Sequence, residues 1–149
     1  MKKIVLAFSG GLDTSFCVPY LIDKGFEVHT IFVNTGGITK NIEKQVSNKS
    51  KKLGAKKHYN VNVETKLWEQ ILTPLIWSGS LYQGKYPVLC SDRYLIVSEA
   101  VKLCKKLNTN SIAHGCTGMG NDQVRFDMSI KALGNYEIVS PIREIQAKV

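Results

Sequence analysis

Apolar residues fall along the chain in short blocks, and longer segments with one apolar face lie between them. The first block, residues 4–8, leads into a Gly-Gly turn and predicts a short buried strand. Val28 begins a second block, apolar and β-branched, which predicts another strand. The same pattern predicts five strands in all, at residues 4–8, 28–33, 58–61, 111–114 and 136–139.

The segments between these blocks predict helices. Gly25 and Gly54 follow two of them and are typical helix stops. Pro19 removes a backbone donor within the first helix, so we expect a kink there, and Pro74 is expected to interrupt the third helix. Residues 81–92 lack a clear periodicity and are expected to form a long loop. The predicted helices span residues 14–24, 38–53, 64–79, 92–107 and, with Asn121 or Asp122 as its cap, 121–133.

A strand, a crossover helix and a second strand imply a right-handed βαβ unit. We therefore predict an α/β fold in which five parallel strands form one sheet with helices on both faces. The length of 149 residues and the hydrophobic content of 44% suit one domain, residues 1–149. Ligands of such open sheets lie at the carboxyl ends of the strands, so a site is expected in the loops that follow them.

The chain carries a net charge of +8, from 20 basic and 12 acidic residues. A basic surplus suits partners that bear phosphate, either a nucleotide or a nucleic acid. Much of the surplus lies in residues 40–57, where a solvated helix face is a sufficient explanation. A nucleic-acid partner is therefore not expected.

The four cysteines form no C-x-x-C pair, which gives zinc and thioredoxin-like sites no support. We expect reduced thiols and a cytoplasmic location. His29 and His58 have no second histidine or carboxylate at metal-ligand spacing, so no metal ligand is assigned. The apolar run after Met1 is too short for a signal peptide or a membrane span, so no membrane partner is expected.

Residues 9–15, Ser-Gly-Gly-Leu-Asp-Thr-Ser, lie at the turn from the first strand into the first helix. The two glycines allow a tight turn and a close approach of the backbone to a ligand. The N–H groups of the first helical turn favour an anion, most commonly phosphate. The stretch lacks the patterns of a Walker A loop and of the dinucleotide fingerprint. The alternative is a Gly-Gly turn with a hydroxyl or carboxylate helix cap.

A second glycine-rich stretch follows the fourth predicted strand at residues 115–127, Gly-Cys-Thr-Gly-Met-Gly-Asn-Asp-Gln-Val-Arg-Phe-Asp. Asn121 and Arg125 are four residues apart and share a helix face, with Asp122 on the same first turn. An amide, a carboxylate and a guanidinium together could bind a substrate with both an amine and a carboxylate. The alternative is a capped helix with a local Asp–Arg pair.

Residues 9–15 resemble the PP-loop, S-G-G-x-D-[ST], of the ATP pyrophosphatases, which cleave ATP between the α and β phosphates. Residues 7–15 and residues 113–126 together look like argininosuccinate synthase, and residues 140–144, Ser-Pro-Ile-Arg-Glu, resemble the close of that family's nucleotide-binding domain. The resemblance covers this whole chain but only the N-terminal part of the family's usual protein. The family's C-terminal synthetase and oligomerisation region is expected to be absent.

The resemblance implies a Rossmann-like, adenine nucleotide alpha hydrolase-like domain. It also implies that ATP drives the joining of citrulline and aspartate in arginine biosynthesis, with release of AMP and pyrophosphate. Mg²⁺ would offset the phosphate charge. The full-length family is expected to be a homo-oligomer, a tetramer, and the isolated chain is expected to have little or no activity.

The resemblance also assigns site residues by motif. Asp13 and Asp122 are the catalytic candidates. The residues expected to bind aspartate are Thr117, Asn121 and Asp122, and those expected to bind citrulline are Tyr86, Ser91, Asn121 and Arg125. The residues expected to bind ATP are Ala7, Phe8, Ser9, Gly10, Gly11, Leu12, Asp13, Thr14, Ser15, Val33 and Gly115.

The chain departs from the family at residues 86–95. The family often has Tyr-Pro-Leu-Ala-Thr-Ala-Leu-Ala-Arg-Pro there, whereas this chain has Tyr-Pro-Val-Leu-Cys-Ser-Asp-Arg-Tyr-Leu. The arginine comes one position early and the proline after it is missing, a change that bears on the citrulline contacts. Two other functions stay open: a free-standing PP-loop ATP-binding module, for example of the tRNA thiolation type, and a non-catalytic nucleotide-binding or regulatory protein.

Overall fold

The computed structural model describes residues 1–87 and 90–147 of the chain. Five parallel strands form the central sheet: β1 (Lys2–Ala7), β2 (Phe26–Asn34), β3 (Lys57–Asn62), β6 (Ser111–Ala113) and β7 (Glu137–Val139). Their order across the sheet is β3-β2-β1-β6-β7, so the first strand of the chain lies in the middle. The remaining two strands, β4 (Leu81–Tyr82) and β5 (Tyr86–Pro87), form a separate antiparallel hairpin.

Helices cover both faces of the sheet, as the sequence predicts. The helices are α1 (Leu12–Asp23), α2 (Lys40–Lys52), α3 (Glu64–Leu67), α4 (Thr73–Ser78), α5 (Asp92–Leu107), α6 (Asn121–Leu133) and α7 (Pro141–Gln146). Side chains of α5 and α6 fill the core on one face, and side chains of α1, α2 and α7 fill the core on the other. The chain is therefore a doubly covered parallel sheet, and the predicted fold class is confirmed.

The central strand β1 supplies both cores. Val5 belongs to the cluster under α5 and α6, whereas Ile4 and Leu6 belong to the cluster under α1 and α2. Successive side chains of a strand point to opposite faces, so a strand buried on both faces must be apolar throughout. This requirement explains why residues 4–8 are continuously apolar in the sequence instead of alternating.

Pro19 does not end helix α1, which runs from Leu12 to Asp23. Pro19 lies on the exposed side of the helix, whereas Cys17, Val18 and Leu21 are buried. A carbonyl that loses its helical partner on the exposed side can bond to water instead, so the cost of the missing donor is small.

Pro74 does not end the helical run that begins at α3. The chain stays helical from α3 through a π turn, Trp68–Leu72, into α4. The Thr73 N–H donates to the carbonyl of Trp68, five residues earlier. The irregular turn comes directly before the proline, which has no backbone N–H to donate, so the missing donor falls where the hydrogen-bond pattern of the run already departs from that of a regular helix.

The segment expected to be a long loop contains the β4–β5 hairpin, and helix α5 begins at Asp92 as predicted. Residues 88 and 89 of this segment lie outside the described residues. The predicted cap of α6 is wrong by one residue, because Gly120 is the N-cap and Asn121 begins the helix. At a φ of +111° Gly120 takes a conformation that glycine adopts far more easily than asparagine.

Candidate functional site

Loops gather at the carboxyl end of the sheet. The first loop, residues 8–15 with the first turn of α1 included, leads from β1 into α1; a second joins β2 to α2, and a third joins β6 to α6. Because β2, β1 and β6 are parallel neighbours, these loops leave the sheet at one edge. A cavity of about 300 Å³ opens there, lined by the first loop, the end of β2, the β6–α6 loop and the start of α5.

The first loop is closed by its own hydroxyl groups. Gly10 has a φ of +79°, and the Gly11 N–H donates to Ser9 Oγ at 3.3 Å. Ser15 Oγ donates to the Gly11 carbonyl at 2.6 Å, and Thr14 Oγ1 donates to the same carbonyl at 3.3 Å. The first-turn N–H groups of α1 point out of this loop without helical acceptors, which is the arrangement that attracts an anion.

The cavity has an apolar wall beside the loop. Ile31, Phe32 and Val33 at the end of β2 line one part of it, and Ile96 of α5 and Phe126 of α6 line another. Apolar side chains on two sides leave room for a flat ring between a polar loop and the core. The position predicted to face adenine, Val33, is therefore part of the cavity.

The first loop and the β6–α6 loop touch at Gly115. A Cβ atom on Gly115 would lie 3.0 Å from Thr14 Cγ2 and 3.3 Å from the Thr14 backbone nitrogen. A larger residue would force the two loops apart, so the glycine is required by their close approach.

A second cavity of about 340 Å³ lies on the other side of this contact. It is lined by the β6–α6 loop and the first turn of α6, including Thr117, Asn121 and Gln123. Four residues line both cavities: Asp13, Gly115, Cys116 and Asp122. A ligand in the first cavity and a ligand in the second would therefore meet at these residues.

Asp122 is held by two arginines. Its carboxylate is 3.3 Å from Arg93 and 3.4 Å from Arg125, and Arg93 also pairs with Asp92 at 2.8 Å. The local Asp–Arg pair that the sequence left open as an alternative is therefore present, but Arg93 of α5 joins it at the wall of the first cavity. This ion-pair cluster links α5 to the start of α6.

A buried histidine supports the β6–α6 loop from behind. His114 Nδ1 accepts the Cys116 N–H at 3.2 Å, so its other nitrogen, Nε2, carries the proton and donates to Asp127 at 2.9 Å. Arg143 of α7 pairs with the same carboxylate at 2.7 Å. Ser140 Oγ donates to the Cys116 carbonyl at 3.1 Å, so both ends of the Cys116 backbone are fixed.

Burial and hydrogen bonds together set the protonation of this network. Burial lowers the pKa of His114, although Asp127 acts in the opposite direction. Burial alone would raise the pKa of Asp127, but hydrogen bonds from Arg143 and His114 lower it. Burial raises the pKa of Cys116 to about 11, so this thiol is neutral at pH 7. The loop is thus held by a neutral histidine and an ionised carboxylate.

Acid is expected to destabilise the protein through His114. Its pKa in the folded chain lies below the 6.5 of the free group, so the unfolded chain binds the proton more readily. The free energy of unfolding should therefore fall as the pH drops below about 6.5, and the loss continues down to the folded pKa.

Urea unfolding between pH 7.5 and pH 5 measures this effect in wild type and His114→Asn. The asparagine variant should show a shallower pH dependence. His58, whose pKa burial also lowers, supplies the control, because His58→Asn should keep the His114 part of the slope. An unchanged slope in His114→Asn would show that the network does not carry the effect.

Most of the predicted site residues line one of the two cavities. The predicted ATP residues that line the first cavity are Ala7, Phe8, Ser9, Gly11, Leu12, Asp13, Thr14, Val33 and Gly115, and the predicted aspartate residues Thr117, Asn121 and Asp122 line the second. Gly10 and Ser15 belong to the first loop without lining the cavity. Arg125 reaches the second cavity through Asp122.

Two predicted citrulline residues lie apart from these cavities. Tyr86 is on strand β5 with 58% of its surface exposed, and Ser91 is buried just before α5. Neither lines the cavity at the first loop or the cavity beside α6. Their role in citrulline binding stays a prediction.

Sequence reasoning missed the supporting residues. Arg93 stands out in the sequence only as a displaced arginine, and nothing in the local pattern joins it to Asp122. His114 and Asp127 are thirteen residues apart, and Arg143 is a further sixteen away, so no short motif contains the network. The position of His114 directly after a strand, in front of the glycine-rich stretch, is the one signal that could have found it.

The described residues supply neither a ready-made metal cluster nor a membrane span. Within residues 1–87 and 90–147, no group of three or more His, Cys, Asp or Glu side chains could hold a metal ion. No helix in the described part of the chain is both long enough and apolar enough to cross a membrane.

Residues 3–148 match the arginosuccinate synthase N-terminal HUP domain. The chain belongs to this family. Argininosuccinate synthases from Xanthomonas axonopodis pv. citri and Xylella fastidiosa are 57% and 52% identical to it over 145 residues. Each match takes in 97% of this HUP domain chain but only 35% or 36% of the relative. The chain therefore spans about a third of the length of these synthases.

Solved structures share the fold of this HUP domain. A predicted subunit of tRNA methyltransferase from Methanocaldococcus jannaschii has a TM-score of 0.62 and 21% identity, over 99% of this chain and 73% of that chain. NMN synthetase from Francisella tularensis has a TM-score of 0.57 and 11% identity, over 76% and 45%. At these identities the likeness concerns the fold alone, and it agrees with the parallel sheet described above.

Proposed function

We propose that the chain is the nucleotide-binding part of an argininosuccinate synthase. In the proposed reaction the ureido oxygen of citrulline attacks the α-phosphate of ATP, and pyrophosphate leaves. The amine of aspartate then attacks the ureido carbon, AMP leaves, and argininosuccinate forms. The observation that carries the proposal is the pair of cavities that share Asp13, Gly115, Cys116 and Asp122. Such a pair can hold a nucleotide and an amino acid with their reacting ends together.

The first cavity would take ATP. Its phosphates would lie on the first loop, where the open N–H groups of α1 and the hydroxyls of Ser9 and Thr14 face the ligand. Adenine would lie against Val33 and its neighbours on β2, and Gly115 would bring the β6–α6 loop close to the phosphates.

The second cavity would take aspartate, on Thr117, Asn121 and Asp122. The carboxylate of Asp122, which the two arginines hold in place, would bind the amine of the substrate. Citrulline would bind through Asn121 and Arg125, with Tyr86 and Ser91 completing the proposed set.

Mg²⁺ would accompany ATP. Such an ion is usually held by one or two carboxylates together with substrate phosphates and water, and it offsets the charge that builds up when pyrophosphate leaves. Asp13 suits this role because it is exposed, lines both cavities and has no ion-pair partner among the described residues.

The whole activity is proposed for a longer assembly. The related synthases are about three times as long as this chain, so the citrulline site and the contacts of the proposed tetramer would need segments beyond it. We expect the chain alone to bind ATP and to form little or no argininosuccinate. Its free buried thiols, Cys17 and Cys104, suit a cytoplasmic protein.

Replacing Asp13 with alanine tests the proposed ATP site. Calorimetric titration with ATP and Mg²⁺ should show binding to the wild-type chain and at least about ten-fold weaker binding to Asp13→Ala. Removing Mg²⁺ with a chelator should weaken binding to wild type but change little in the variant, because the proposed ligand is already gone. Asp23→Ala, at the exposed far end of α1, is the matched control. Equal ATP affinity in wild type and Asp13→Ala would refute the assignment.

A free-standing PP-loop ATP-binding module is the second candidate, and the net charge of +8 supports it because basic modules suit phosphate-bearing partners. Fusing the chain to the C-terminal region of a related synthase separates the two candidates. Argininosuccinate formation by the fusion supports the synthase. ATP binding without any such formation favours the module.

A further inference from the structure

Helix α2 contacts the first loop at Gly10. Lys49 Nζ donates to the Gly10 carbonyl at 2.6 Å. One turn earlier on the same helix, the side chain of Val46 lies so close that a Cβ on Gly10 would be 3.2 Å from Val46 Cγ2. The loop is therefore fixed from behind by a hydrogen bond and by packing, both from α2.

The hydrogen bond to Lys49 also sets the direction of the next N–H group. In a trans peptide the C=O and the following N–H point in opposite directions. With the Gly10 carbonyl turned toward α2, the Gly11 N–H is turned into the loop, where it meets Ser9 Oγ at 3.3 Å. Gly11 lines the cavity at this position.

We propose that Lys49 is a positioning residue of this loop, which rests on the function proposed above. The Lys49 ammonium group holds the Gly10–Gly11 peptide with its N–H toward the β and γ phosphates, and it adds a positive charge behind the loop. Its effect falls on ligands that fill the loop, such as ATP and pyrophosphate. AMP, which leaves the loop empty, does not depend on it.

This role separates Lys49 from the other lysines of α2. The stretch is a solvated basic face for most of its length, with Lys44 and Lys52 exposed and without ion-pair partners among the described residues. Lys44 lies about 140° around the helix axis from Lys49, away from the loop. Lys44→Met therefore removes the same charge from the same helix without touching Gly10.

The experiment compares Lys49→Met, Lys49→Arg and Lys44→Met by calorimetric titration with ATP and Mg²⁺, pyrophosphate and AMP. In Lys49→Met, ATP and pyrophosphate should bind about five- to ten-fold more weakly, with AMP affinity within about two-fold of wild type. Lys49→Arg should recover most of the loss, and Lys44→Met should resemble wild type. In the free protein, the amide resonance of Gly11 should shift in Lys49→Met and stay in place in Lys44→Met.

Equal losses in Lys49→Met and Lys44→Met would overturn the positioning role and leave only a general charge effect. An equal loss for AMP would overturn the selectivity for the loop. Normal ATP binding in Lys49→Met refutes the inference about Lys49 while the proposed ATP site stands. A wild-type chain that binds neither ATP nor pyrophosphate overturns both.

Discussion

Replacing Gly10 with valine is expected to abolish measurable nucleotide binding. Gly10 has a φ of +79°, which costs a non-glycine residue roughly 1–2 kcal/mol. Its new Cβ would also lie 3.2 Å from Val46 Cγ2, and the additional methyl groups of valine would increase the crowding. The loop must then move away from α2, so the Gly10 carbonyl loses Lys49 and the Gly11 N–H loses its direction.

Titration with ATP and Mg²⁺, together with thermal unfolding, measures this outcome. Gly25→Val is the matched control, because Gly25 has a φ of +86° with no atom within 4 Å of its Cβ position, and it lies at the opposite end of α1 from the loop. Both variants should lose stability, and only Gly10→Val should lose ATP. Parallel losses of stability and binding in the two variants would contradict a specific role of the loop geometry.

Replacing Asp127 with alanine is expected to lower the stability of the whole domain and to loosen the proposed nucleotide site. His114 Nε2 would lose its acceptor in a side chain that is 1% exposed, and an unsatisfied buried donor costs about 1–3 kcal/mol. Arg143 would lose its carboxylate partner at the same time. For a domain of this size the melting temperature should fall by about 2–12 °C.

The affinity for ATP should also fall, because His114 positions the Cys116 backbone and both residues line the first cavity. Asp127→Asn keeps an oxygen that can accept from His114, so it should recover much of the stability. Asp23→Ala removes a carboxylate from the exposed end of helix α1, on the opposite face of the sheet, and should change neither quantity. If Asp127→Ala unfolds at the wild-type temperature, the network is not a structural support.

The sheet could be predicted because most of its strands contain a short block of apolar residues before a loop signal. Residues 4–8 are buried on both faces of the sheet, and this shows directly in the sequence as an unbroken apolar run. Irregular elements are harder to predict from the sequence. The hairpin at Tyr82 and Tyr86 cannot be predicted from periodicity, because its strands have only two residues each. The N-cap at Gly120 is hard to predict because asparagine and aspartate cap helices more often than glycine does.

In the candidate site, too, the local parts could be predicted from the sequence and the contacts between distant residues could not. The first loop could be predicted from residues 9–15, since all its parts are adjacent in sequence. The contacts that hold it could not, because Lys49 lies thirty-nine residues from Gly10 and the Arg93–Asp122 pair spans twenty-nine. Such pairings follow from the order of strands in the sheet, which determines the helices that pack beside each loop. A short sequence motif does not reveal the order of the strands.

The π turn at Trp68–Leu72 has a consequence for insertions and deletions. A π turn holds one residue more than a regular turn, so the helical run from α3 to α4 behaves as a regular helix with one residue inserted. Deleting Gln70 would remove the excess, and the run should close into a regular helix while the residues beyond the turn keep nearly their present directions. Ile76 and Trp77, now 65% and 84% exposed, should therefore stay exposed. Deleting a residue from the regular part of the run would instead rotate everything beyond it by about 100° about the axis. The π turn is therefore the place where this helical run should accept the loss of one residue.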